Sequence, residues 1–125
     1  MNKSQCKQQF NINLERFLNE LMISFPNETQ SLKSIQAKIN VMNSLDSNQL
    51  IKNWIGVIKP YKDQLFSKNE SFFINNQLSN NENDNILINK IKHIWLNNTN
   101  ISQKTKNAIF DYGILLTKLA EMYNS

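Results

Sequence analysis

The chain has 125 residues, 40% hydrophobic and 10% aromatic, and carries a formal net charge of +4. That length suits one domain able to bury roughly two-thirds of its unfolded surface, and the apolar content excludes a disordered chain. Cys6 is the only cysteine, which excludes an internal disulfide and a cysteine-based zinc cluster. No apolar run approaches the ~20 residues of a membrane span, and no basic-then-apolar leader opens the chain. A soluble, intracellular protein without a membrane partner is expected. Two glycines and two prolines are few beside the roughly nine glycines of an average chain this size. Hairpins would consume more, so helices are favoured. Sequons at Asn2, Asn27, Asn69, Asn97 and Asn100 read as by-products of asparagine abundance.

The first helix shows one apolar stripe: Phe10, Leu14, Phe17, Leu18, Leu21, Met22 and Phe25 recur at three- and four-residue spacing. Pro26 disfavours a helical Phe25 and stops it. Asn27, with Gln30 three residues on, is the expected start of a second helix, whose stripe is Leu32, Ile35, Ile39 and Met42. Asp46 with Gln49 marks the third. Leu50, Ile51, Trp54, Ile55, Val57, Ile58, Tyr61, Leu65 and Phe66 give it an apolar face wide enough for two neighbours.

Pro60 interrupts that third stripe without ending it. It has no N–H for the carbonyl of Gly56, and Gly56 eases a bend. The unbroken stripe predicts one kinked helix; Pro60 opening a new short helix is the alternative. Ser67 with Glu70 predicts a short turn carrying Phe72, Phe73 and Ile74, folded back over the core. Residues 75–85, "NNQLSNNENDN", are polar and aperiodic, the signature of a flexible loop too short to divide the chain into domains. Asp84 or Asn85 is the expected cap of a helix with the stripe Leu87, Ile88, Ile91, Ile94 and Trp95. Ser102 or Asn100 caps the last, with Thr105, Ala108, Ile109, Tyr112, Leu115, Leu116, Leu119, Ala120 and Tyr123 in its stripe. Asn43, Asn75 and Asn97 are expected to take the left-handed position that ends helices, in place of glycine. The expected fold is a compact all-α bundle of about five helices in a single domain, 1–125.

Catalytic raw material is thin. His93 is the only histidine and falls opposite its helix's apolar stripe, beside Lys90 and Lys92, without acidic ligands for a metal. Cys6 reads as a free thiol at a frayed helix start. No phosphate loop, nucleophile elbow or calcium loop appears. The chain is therefore expected not to be an enzyme, with no catalytic residue, no cofactor and no metal. Lys52 and Lys59 share an exposed ridge with Gly56, and Lys62 lies near it. These three lysines are the candidates for a basic, nucleic-acid-associated alternative, though a single arginine, Arg16, is little for such a role.

The apolar surface says more. Phe110 and Ile114 stand one turn apart, outside the last helix's stripe, and Gly113 beside them would admit a close backbone. Either a protein partner or second copy covers Phe110, Gly113 and Ile114, or the "SFFI" segment does.

A helix ending "SFP", a central "KPYKDQLFSKNESFF", a later "IW" and a closing "KTKNAIFDYGILL" carry a resemblance. Through Pro26, Pro60, Tyr61, Phe72, Phe73, Trp95, Tyr112 and Leu115, the chain resembles small all-helical proteins of nucleocytoplasmic large DNA viruses, the giant viruses. The resemblance rests on core and hinge positions and carries no catalytic motif. It implies a non-enzymatic interaction or structural protein, a virion or virus-factory component residing in the host cytoplasm or the virion.

Overall fold

The computed structural model describes residues 1–74, 86–98 and 100–125. The loop expected at 75–85, the caps expected at Asp84 or Asn85, the stop expected at Asn75 and the side chains of Phe72 and Ile74 lie outside the described residues. Helix α1, Lys3–Ser24, opens on a reciprocal cap: Gln5 N donates to Asn2 Oδ1 at 2.8 Å, and Asn2 N to Gln5 Oε1 at 3.0 Å. Two otherwise orphaned donors are satisfied, so this end is capped. Cys6, expected at a frayed start, is instead fully buried. Phe10, Leu14, Phe17, Leu18 and Leu21 are buried as the stripe requires, and the helix stops before Pro26.

Pro26 opens a 3-10 turn, Pro26–Glu28, before α2, Thr29–Leu45. Asn27 is inside that turn and exposed, so it is not the cap. The proline's fixed φ tightens the chain and moves the helix start past it. Asp46 accepts from Asn48 N at 3.0 Å, an Asx turn leading into α3, Gln49–Ile58. Pro60 then falls within a 3-10 turn, Lys59–Tyr61, and α4, Lys62–Phe66, follows directly. Ile58, Lys59 and Lys62 all keep right-handed helical dihedrals, so the rod is kinked and continues. Tyr61, at φ −116° and ψ 9°, is where the backbone departs from the helix.

After α4 the chain turns through Lys68, whose φ of 56° is the one left-handed non-glycine angle among the described residues. Lys68 N donates to Leu65 O and Asn69 N to Gln64 O, the paired bonds of a Schellman stop. Asn43 and Asn97, expected in that role, lie within helices; a lysine does the work. Helix α5, Ser71–Ile74, starts on Asn69, whose Oδ1 accepts from Ser71 N at 3.0 Å. Ser67 donates backwards to Gln64 O instead. Helix α6 is Ile86–Asn97, and α7 is Gln103–Asn124 with Ser102 accepting from Thr105 N, the expected cap.

The packing is read from the pairs that bridge helices. Phe17 stacks on Tyr112 with centroids 5.0 Å apart, while Lys3 lies over the Tyr123 ring. Helices α1 and α7 therefore run antiparallel. Helix α2 returns along α1, where Lys7 Nζ reaches Ser47 Oγ. The kinked rod runs antiparallel to α7 from Tyr123–Asn48, through Trp54–Thr117, to Lys68–Asp111. Helix α6 closes the open side: Lys90 pairs with Glu28 at the α1–α2 turn, and Trp95 packs on Phe73 and Phe110. Among the described residues the result is an all-α bundle of five main helices, the central one kinked, with one short extra turn.

Candidate interaction surface

Helix α7 is flanked on two sides, by α1 and by the α3–α4 rod, and this decides what it can present. Its buried residues are Ile109, Phe110, Gly113, Leu116, Thr117, Leu119 and Ala120. The expected exposed patch at Phe110 and Ile114 is therefore corrected. Phe110 is only 2% exposed; its ring centroid is 5.4 Å from that of Phe73 and 5.6 Å from that of Trp95. The "SFFI" segment covers it, the second of the two outcomes. Gly113 does admit a close neighbour, but from the same chain: a Cβ there would lie 3.1 Å from Leu65 Cδ1. Ile114 is half-buried against the core. A single-stripe reading assumes one neighbour, and Phe110 faces α5 and α6, beyond the two elements that flank the helix.

The apolar surface that α7 keeps lies elsewhere. Leu115 is 39% and Met122 45% exposed, and Ala108 is exposed as well. These three recur at heptad spacing, which keeps them on one side of the helix. Asp111 and Lys118, both exposed, lie between them. Sequence reasoning placed both Ala108 and Leu115 in the buried stripe and passed over Met122. The charged Asp111 and Lys118 on the same flank were the signal that this side faces water. A second outer strip on α2 holds Ala37, Val41 and Leu45, the last two 58% and 81% exposed.

The basic candidates divide. Lys52 and Lys59 are exposed, as the ridge predicts. Lys62 is not free: its Nζ lies 2.7 Å from Glu121 Oε2 and 5.2 Å from the Phe66 centroid. Elsewhere Lys106 pairs with Glu70 and Lys90 with Glu28. The Lys90 hydrogen bond, more than any other influence, holds the Glu28 carboxyl below its ordinary range, and partial burial opposes it. Charges that read as a solvated basic face are spent in part on joining elements.

An apolar cavity of about 50 Å³ lies among Phe10, Leu14, Ile39, Trp54, Val57 and Leu87, far below the ~300 Å³ at which drug-sized ligands begin to fit. A groove of about 280 Å³ runs between α1 and α7, with Glu20 and Ser24 facing Lys104, Ala108 and Tyr112. His93 is exposed, with the Asn97 amide against its ring. Among the described residues no three of His, Cys, Asp and Glu are grouped to hold a metal ion. No helix among the described residues is long and apolar enough to cross a membrane. No family model matches the chain, and neither the curated proteins nor the solved structures gave a match.

Proposed function

We propose that this chain is a non-enzymatic protein-interaction or structural protein whose contact surface is the outer strip of α7. The observation that carries the reading is the heptad-spaced series Ala108, Leu115 and Met122, left outside the core on a helix clamped along both flanks. Leu115 and Met122 are 39% and 45% exposed, so their contact with water forgoes only part of the roughly 1.5–3 kcal/mol that full burial of a large side chain is worth, and a partner helix laid along the strip recovers some of it. The clamped helix presents the strip already ordered, which lowers the entropic cost of binding. A virion or virus factory is the setting that the giant-virus resemblance implies; detection of the protein in purified particles tests it. The nucleic-acid alternative retains Lys52 and Lys59 but loses Lys62 to Glu121, and is the weaker reading.

The test is affinity capture with matched surface variants. Leu115→Glu should abolish capture of the partner, with its helical circular dichroism and melting temperature close to wild type. Val41→Glu, on α2, should leave capture intact. Loss with Val41→Glu and retention with Leu115→Glu would move the surface to α2 and overturn the assignment to α7.

A further inference from the structure

We propose that the partner of the α7 strip is a second copy of this chain, docked antiparallel about a two-fold axis at Leu115. This rests on the reading of α7 as a contact surface and names its occupant. The strip is self-complementary in shape. With Leu115 on the axis, it meets Leu115 of the second copy, and each Ala108 falls opposite a Met122. A small residue thus faces a long flexible one at both ends, the interdigitation that a helix pair needs. An isologous contact requires a patch that matches itself.

The charges agree with the same register. Asp111 precedes Leu115 by about one turn and Lys118 follows by about one turn, so an antiparallel copy brings Asp111 within one position of the other copy's Lys118, twice. Each group is available. Asp111 engages Lys68 through Oδ1 alone, at 2.8 Å, and its side chain remains 64% exposed. Lys118 lies 6.0 Å from the Phe66 centroid and meets no carboxylate among the described residues. A parallel copy would set Asp111 against Asp111 and Lys118 against Lys118, and like charges across a seam are repelled. Antiparallel pairing is therefore selected. One helix face of this length covers less than the ~800 Å² per partner of a standard stable interface, so the dimer is expected to be weak and reversible.

Sedimentation equilibrium of the full chain, from roughly 10 µM to roughly 1 mM, tests the proposal over the range of weak dissociation constants. Wild type should shift from monomer to dimer across that range. Leu115→Glu should remain monomeric throughout, with an unchanged melting temperature. Asp111→Lys and Lys118→Glu should each weaken the dimer at least about tenfold, and the double exchange should restore it. A dimer that survives Leu115→Glu overturns the α7 two-fold. Wild type that stays monomeric at the top concentration overturns the second copy as occupant. If Leu115→Glu still abolishes capture of another protein in that case, α7 remains the contact surface; if it does not, both readings fall.

Discussion

Two glycines play opposite parts. Gly56 is exposed, and a Cβ there would meet nothing within 4 Å; its dihedrals are not left-handed. The bend it was expected to ease is made by Pro60 alone. Gly56→Ala should therefore raise stability by about 0.5–1 kcal/mol, through the lower backbone entropy of the unfolded chain; chemical denaturation measures it. A decrease would mean that the helix around residue 56 is strained in a way its geometry does not show. Gly113 is different, since Leu65 Cδ1 already stands 3.1 Å from where its Cβ would be. Its missing side chain lets α4 lie on α7, and the same absence helped make Phe110 and Ile114 look like a docking site.

At the scale of elements, Trp54 and Thr117 join the central rod to α7. Trp54 Nε1 donates to Thr117 Oγ1 at 2.9 Å, and that hydroxyl donates to Gly113 O at 2.8 Å. Thr117 is fully buried and Trp54 nearly so, so no water substitutes for a lost partner. Thr117→Val keeps the shape and strands the indole N–H. It should cost about 1–3 kcal/mol in equilibrium unfolding, whereas Thr117→Ser should cost clearly less. A loss of equal size in both variants would trace the effect to the methyl group and not to the hydrogen bond.

The helices themselves were legible in the chain because 3.6-residue periodicity is a local property. Pro26 stopping α1, Pro60 kinking the rod and Ser102 capping α7 follow from one residue and its immediate neighbours. Which apolar residues of α7 stay outside the core was only partly legible, through Asp111 and Lys118, and the reason is physical. Whether Phe110 or Leu115 faces water depends on how many helices lie against α7 and at what angle, which is set by partners far away in the chain. Phe110 is covered by Phe73 and Trp95, neither of which periodicity on α7 reveals. The caps at Asn27 and Ser67 failed for a smaller reason. A 3-10 turn after Pro26 and a Schellman stop at Lys68 each shift a helix start by a residue or more, and spacing rules do not register that.

Across the whole molecule, charge ties separate elements together. Lys62–Glu121 and Lys68–Asp111 hold the far half of the rod to α7, Lys106–Glu70 holds the start of α7 to the α5 turn, and Lys90–Glu28 holds α6 to the α1–α2 turn. The exposed pairs, Lys62–Glu121 and Lys68–Asp111, add little stability individually, whereas Lys90–Glu28 is largely buried. The pairs set register, and they leave α7 clamped with one strip outward. Hydroxyl-radical footprinting of α7 over a concentration series examines that arrangement most directly. In dilute protein Leu115 and Met122 should be labelled and Phe110 protected. As concentration rises, Leu115 and Met122 should become protected together while Phe110 stays unchanged. Labelling of Phe110 in dilute protein, or of Leu115 and Met122 at the same level at every concentration, would contradict the account.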